Sequence, residues 1–354
     1  MEQQPGEGLP WGARVELWDR ALCAVRGVLR GQGMREVSTP VRVDAPAVEA
    51  YIEPIPAPPK YLATSPELGM KRLLCRGSGS IFQLSHVFRQ AEVGAQHSEE
   101  FHLLEWYRLC DPAELRWVQE DVERLVAAVF DSAGRAPPTG WLHVQFLNLL
   151  AERTGLSLRG DEDAEALLAA AERAELDIRA YLPGTAALFQ GAQDSQSSQV
   201  AKLYAWTELF SSFCDLDLDA WLESRGDVGV HIGGFPAALA ALSECSQVGS
   251  RVLAHRFESH VAGVELANGY RELRDPMIQA TRFAVVNGLR RHLGQASLPI
   301  DKPFISDLTS PGLPACAGVA LGLDRLIMLA AGKSCLTDVS LDVSGVHPGE
   351  TTCP

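Results

Sequence analysis

The sequence has no uninterrupted apolar run of the ~18 residues that a membrane span requires. Even GVALGLDRLIMLAAG is broken by Asp324 and Arg325, so no membrane contact is expected. It also lacks any Cys-x-x-Cys pair. The eight cysteines (Cys23, Cys75, Cys110, Cys214, Cys245, Cys316, Cys335, Cys353) stand far apart, which excludes a zinc ribbon and leaves reduced thiols, mostly in the core, as the expectation. The opening MEQQPGEGLPWG has neither a basic segment ahead of an apolar core nor an Arg-rich amphipathic pattern, so a cytoplasmic protein without a leader is expected. Positive charge is scarce as well: 31 Lys and Arg stand against 45 Asp and Glu, for a net charge of −14. Such a chain repels a phosphate backbone unless a local basic patch intervenes, so stable tRNA binding is not expected. What remains is a globular chain of 354 residues, 46% hydrophobic, with room for one large or two ordinary domains.

Val15, Trp18, Leu22, Val25 and Leu29 recur at helical spacing over residues 13 to 30, and Gly31 and Gly33 end that helix. REVSTP then reads as a strand. DAPAVEAYIEPIPAPPK holds five prolines and reads as an extended edge or loop. Residues 67 to 76 look helical. Ile81 to Arg89 and Phe101 to Arg108 alternate as strands around a polar connection, which predicts an antiparallel hairpin with a long tip. ELRWVQEDVERLVAAVFDS predicts a helix with Leu115, Val118, Val122, Leu125 and Val129 buried. From about 141 to 225 the chain is Ala/Glu-rich and reads as a helical insertion. Strands are expected at 228 to 235 and 259 to 273, a helix at 276 to 293, and a strand-turn-helix at 317 to 331. The tail from 333 to 354 reads as poorly ordered.

Three motifs fail on inspection. GKS at 332 to 334 lacks the upstream glycine of a phosphate-binding loop, where Ile327 stands. GSG at 77 to 79 has Phe82 where a dinucleotide fingerprint needs glycine. His97-Ser-Glu-Glu-Phe-His102 gathers metal-ligand types, but strand parity sends the two histidines to opposite sides.

One constellation survives. Alternation in FHLLEWYR places Phe101, Leu103, Glu105 and Tyr107 on one face, and across the hairpin FRQAE supplies Arg89, a planar donor for phosphate or carboxylate. An internal Arg89–Glu105 ion pair is the bland alternative. GVELANGYREL places Glu265 on one face, with Asn268 and Glu272 around an expected kink at Gly269. GVALGLDRLIML passes through Gly322 into a helix, setting Arg325 in its first turn, where anions are favoured. Arginines for phosphates and carboxylates for metal and ammonium groups together describe a nucleotide-plus-amine site.

These segments carry a resemblance. FRQAEVGAQHSEEFHLLEWYR resembles motif 2 of the class II aminoacyl-tRNA synthetases, GVALGLDRLIML resembles motif 3, and the first helix with REVSTP and Pro40 resembles motif 1, the dimer-forming segment. TSPELGMKRLL and GVELANGYRELRDP are similar to the lysyl branch, above all to its paralogues that attach (R)-β-lysine to elongation factor P. The resemblance covers most of residues 11 to 332 and implies an α+β class II synthetase catalytic domain, an antiparallel sheet flanked by helices, assembled as a homodimer. It implies a ligase that forms an adenylate from ATP with Mg²⁺ and passes the (R)-β-lysyl group to a lysine of elongation factor P. A minimal lysyl-tRNA synthetase and a catalytically silent amino-acid-binding regulator are the rivals. The early start of motif 1, which leaves no room for an anticodon-binding barrel, and Ala320 in place of the usual glycine both favour the paralogue.

By position, the resemblance implies that Arg89 holds the α-phosphate and substrate carboxylate while Arg325 clamps the γ-phosphate, these two being the catalytic pair. Gln90, Ala91, Glu92 and Ser98 fall in the ATP-binding segment, and Ala91 stands where a glutamate often reads adenine, leaving that task to Glu92 or the backbone. Glu265 is implied to bind Mg²⁺ and ATP beside Leu266 and Asn268, and Gly322 to give the nucleotide close backbone approach. Ser65, Pro66 and Glu67 are implied to bind the substrate amine. Tyr107, Glu272 and Glu105 are implied to recognise the ε-ammonium, with Ala320 at the pocket floor.

Overall fold

The protein is described from a computed structural model covering residues 8–110, 114–184 and 195–343. Helix α1 (Trp11–Gly31) opens the fold and buries Leu17, Trp18, Ala21, Val25 and Leu29. Its buried stripe is rotated from the expected one: Val15 is exposed, because the face turned to the core runs through Leu17 and Ala21 instead. Helix α2 (Glu67–Cys75) and helix α3 (Leu115–Ser132) form as their periodicity predicts, and Val118, Val122, Leu125 and Val129 are all buried. Leu115 is only partly buried.

An eight-stranded sheet carries the site. In chain order its strands are β1 (Arg35–Glu36), β2 (Ile81–Phe88), β3 (Glu100–Leu109), β4 (Trp141–Gln145), β5 (Gly229–Gly233), β6 (Arg256–Val261), β7 (Val264–Arg271) and β8 (Cys316–Gly322). Their spatial order is β1-β2-β3-β8-β7-β6-β5-β4. The six central strands are antiparallel, whereas β1 and β4 run parallel to their neighbours. The fold is α+β, with α1 and α3 covering one face through a core that includes Leu104, Trp106, Phe257 and Leu321. Helices α4 (Pro276–His292) and α5 (Leu323–Ala330) complete the frame. The N-terminus of α4 is built as its sequence suggests, with Asp275 accepting from the amides of Met277 and Ile278 and Pro276 in the first turn.

Four expectations need correction. The stretch 259 to 273 is not one strand but the hairpin β6–β7, turning at Ala262 and Gly263, both with positive φ. That two-residue turn matches the primed turns that hairpins favour, but Ala-Gly lacks the Asn-Gly signal that would have announced it. The segment from 141 does not begin as helix, because Trp141–Gln145 joins the sheet edge as β4. The helices that follow bury a core of their own around Phe146, Leu167, Trp206 and Phe213. Residues 333–343 pack rather than fray. Trp18 Nε1 donates to Val339 O at 2.8 Å, Arg14 donates to the carbonyls of Thr337 and Ser340 at 2.9 Å, and Leu336 is buried. These anchors are side chains of α1 reaching backbone carbonyls, which no hydrophobic pattern in the tail reveals. Residues 344–354 lie outside the described part. Finally, Cys335 is disulfide-bonded, so not every cysteine is a reduced thiol; Cys75, Cys316 and Cys335 are buried, whereas Cys23 and Cys245 are exposed. No helix among the described residues is long and apolar enough to cross a membrane.

Candidate active site

A cavity of about 400 Å³ opens on the sheet face opposite α1 and α3. Phe101, Leu103, Glu105 and Tyr107 line it, as the alternation of β3 requires. The register then brings in the other strands. Ala320 of β8 lies between Glu105 of β3 and Asn268 of β7, and Gly318 lies between Tyr107 and Tyr270. Simple parity would put Glu265 and Asn268 on opposite faces. A β-bulge prevents that: Ser259 pairs with Ala267 and His260 with Glu265, so Leu266 is the extra residue and both Glu265 and Asn268 line the cavity. The kink expected at Gly269 is absent. The register there is regular, and a Cβ at Gly269 would fall 2.3 Å from the Phe257 ring, so glycine serves packing on the other face.

One end of the cavity is acidic and buried. Glu105 and Glu272 are almost inaccessible, and Glu67 and Ser65 reach in from the start of α2. Tyr107 donates to Glu105 Oε2 at 3.3 Å. Among these carboxylates stands Lys71, which the sequence reading missed. Its Nζ lies 2.5 Å from both Glu67 and Glu272. Burial alone would push the Lys71 pKa down, but the charges of Glu272 and Glu67 outweigh it and hold the ammonium above its ordinary value. Its position four residues after Glu67 on α2 was the available signal. Burial, reinforced by the charge of Glu67, pushes Glu105 up to about 8 despite hydrogen bonds from Ser65 and Tyr107 and the nearby Lys71. Burial also raises Glu272, partly offset by Lys71.

Gly318 shapes this end. A Cβ there would lie 2.3 Å from Glu272 Oε1 and 2.4 Å from the Tyr107 ring, so only glycine lets the carboxylate and ring approach the strand.

The other end is cationic. Arg325 Nε donates to Gln96 O at 3.1 Å, one terminal nitrogen to Glu265 O at 2.9 Å, and the other stands 2.7 Å from His97 Nε2. The guanidinium is thus held between β7 and the hairpin tip before any ligand arrives. Arg89 lies over the Phe101 ring at 5.0 Å, and its Nε is buried with no hydrogen-bond partner among the described residues. A buried donor left unsatisfied is costly, so this atom fits an anionic ligand. The bland Arg89–Glu105 ion pair does not form among the described contacts. A Cβ at Gly322 would meet only the Arg325 side chain, at 3.7 Å, so neither packing nor backbone conformation demands glycine there.

Of the residues singled out from sequence, Ser65, Glu67, Arg89, Glu92, Ser98, Glu105, Tyr107, Glu265, Leu266, Asn268, Glu272, Ala320, Gly322 and Arg325 come together in this cavity. Pro66, Gln90 and Ala91 do not line it. Pro66 precedes α2, the Gln90 amide donates to Glu53 O at 2.8 Å, and Ala91 takes φ +63° with its amide donating to Glu99 Oε1 at 2.8 Å. That left-handed residue turns the chain so that Glu92, not residue 91, reaches the cavity. The two histidines do separate: His97 lines the cavity beside Arg325, while His102 of β3 packs against Trp18 of α1 on the other face.

Comparison with known proteins agrees with this geometry. The profile of the tRNA synthetases class II (D, K and N) matches residues 13–341. The elongation factor P--(R)-beta-lysine ligase of Pasteurella multocida is 33% identical, over 90% of this chain and 91% of its own. The protein of that name from Proteus mirabilis is 35% identical over 89% of this chain and 90% of its own. That from Photorhabdus laumondii is 39% identical over 79% and 76%.

Proposed function

Since the chain belongs to the class II tRNA synthetases (D, K and N), and its relatives are named as ligases of (R)-β-lysine to elongation factor P, we propose that it activates (R)-β-lysine with ATP and transfers it to a lysine of elongation factor P. The observation that carries this reading is the division of one cavity into a buried carboxylate end and an end with two arginines, one of them with an unsatisfied buried donor.

In this reading Arg89 binds the substrate carboxylate and the α-phosphate, and Arg325 receives the γ-phosphate of ATP. Glu92 and Ser98 lie along the nucleotide, and Gly322 leaves it room. Glu265, whose carboxylate is an oxygen donor suited to a hard cation, would hold Mg²⁺ with Asn268 nearby; the ion would neutralise phosphate charge. Ser65 and Glu67 face the substrate amine, and Glu105, Tyr107 and Glu272 face the ε-ammonium. Ala320, between Glu105 and Asn268 in the sheet, forms the floor. No side chain has to transfer a proton in activation. The residues hold the carboxylate in line with the α-phosphorus and stabilise charge as pyrophosphate departs. A lysine amine of the acceptor then attacks the adenylate carbonyl and releases AMP.

We take residues 11–332 as the catalytic unit, with residues 333–343 packed onto it through α1 and the helices after β4 as an insertion, in a cytoplasmic homodimer formed through α1. Trp11 and Val15, both exposed on α1, support that contact. The motif 2 tip, VGAQHSEE, has no lysine or arginine, which disfavours tRNA. Incubation with ATP, each lysine isomer and elongation factor P, followed by mass measurement of the factor, tests the reading alongside tRNA charging. A mass gain on the factor is expected. Robust charging of tRNA with an unmodified factor would establish the minimal synthetase, and no pyrophosphate exchange with any amino acid would establish a silent binder.

The raised Glu105 pKa gives a pH prediction. The carboxyl is mostly protonated at pH 7 without ligand, whereas an incoming ammonium favours the carboxylate. Binding therefore releases a proton below pH ~8, and amino-acid affinity should rise about fivefold from pH 7 to 8 and then flatten. Calorimetric titration in buffers of different ionisation enthalpy reads both effects. An affinity independent of pH between 6 and 8, with no proton released, would remove Glu105 from the ammonium site.

A further inference from the structure

A second cluster of ligand-type side chains lies on the opposite face of the sheet, under α3. His143 of β4 and His231 of β5 are register partners in a parallel pair, so both project from the same face, with ring centroids 5.0 Å apart. Glu123 arrives from α3, and its Oε1 lies 3.3 Å from His231 Nε2. One ligand atom from each residue lies within 4.8 Å of the other two.

The surroundings orient the group. The Trp141 ring stacks on His231 at 4.5 Å, and Ser259 Oγ lies 2.8 Å from His231 Nδ1 within the buried sheet. When that hydroxyl accepts the Nδ1 proton, the Nε2 lone pair points toward Glu123 and His143. Such a partner behind a histidine is the usual means of fixing the tautomer of a metal ligand. In a tetrahedral zinc site with bonds of ~2.0–2.2 Å, neighbouring ligand atoms stand about 3.3–3.5 Å apart, which the Glu123–His231 pair already satisfies. His143 is exposed and Glu123 partly so, and both can rotate to close the remaining gap.

We propose that Glu123, His143 and His231 bind a divalent transition-metal ion of the zinc type, with three protein ligands and one position left to solvent. Two imidazoles and one carboxylate suit such an ion better than Mg²⁺ or Ca²⁺, which prefer all-oxygen sets. The ion would fasten the edge strand β4 to β5 and α3, away from the cavity where the proposed reaction takes place.

The test uses the full chain, freed of metal by chelation and dialysed, then titrated with Zn²⁺ and with Co²⁺ as a spectroscopic stand-in. One equivalent should bind, Co²⁺ should show the visible bands of a low-coordinate nitrogen and oxygen site without thiolate charge transfer, and Zn²⁺ should raise the melting temperature. His143→Ala, a change at an exposed position, should weaken binding at least tenfold, and Glu123→Gln should do likewise. Binding that is unchanged in both folded variants would overturn the assignment. So would a thiolate spectrum abolished by Cys23→Ser or Cys245→Ser, or no binding at micromolar Zn²⁺, which would leave a plain His231–Glu123 hydrogen bond.

Discussion

Arg325→Ala is expected to lower amino-acid-dependent pyrophosphate exchange by a factor of hundreds or more. The guanidinium is already fixed by the carbonyls of Gln96 and Glu265, so it needs no reorganisation when charge moves onto pyrophosphate. Removing one such preorganised donor typically costs ~3 kcal/mol or more of transition-state stabilisation. The same substitution also unties the hairpin tip from β7, because Arg325 contacts Gln96 and His97 on one side and Glu265 on the other. Arg325→Lys should recover only part of the loss, since a point charge cannot span three partners in a plane. Near-wild-type exchange in a folded Arg325→Ala protein would place the phosphates elsewhere.

Glu272→Gln should raise the KM for the amino acid on the order of a hundredfold while changing that for ATP by no more than a few-fold. A second effect comes from Lys71. Its ammonium now shares two carboxylates, and the variant leaves it with Glu67 alone in a buried site. Breaking a buried pair typically costs ~3–5 kcal/mol, and the retained partner places this variant at or below the lower end. Thermal melting without ligand and steady-state kinetics with each substrate varied in turn separate the two effects. Equal losses for both substrates would show that Glu272 supports the whole cavity rather than the amine.

Much of this site could be read from the chain because strand alternation is a strict rule. Phe101, Leu103, Glu105 and Tyr107 had to share a face once β3 was identified, and the step from β8 into α5 fixed Arg325. Periodicity could not reveal the bulge at Leu266, which depends on how two strands pair and not on either alone. Nor could it show that β4 completes the sheet, since WLHVQ is short and its partner β5 is distant in sequence. Lys71 escaped for a different reason. A lysine on a helix is ordinarily solvated, and only the tertiary packing of α2 against Glu272 makes it a buried cation. Gln90 and Ala91 were carried in by position in a motif, yet a single left-handed residue was enough to turn them outward.

The buried ammonium of Lys71 also sets what the acidic end can accept. Glu67 and Glu272 with Lys71 leave one uncompensated negative charge, and ionised Glu105 makes two. A diamino acid brings two ammonium groups, while its carboxylate is matched separately by Arg89, so the charges of these five side chains and the bound amino acid balance. An amino acid with an uncharged side chain would leave Glu105 protonated and forgo the charge-assisted contact that a second ammonium makes, and one with an acidic side chain would add a further negative charge. Discrimination among amino acids then rests on charge balance among buried groups, a criterion that rejects wrong charge far more severely than wrong length.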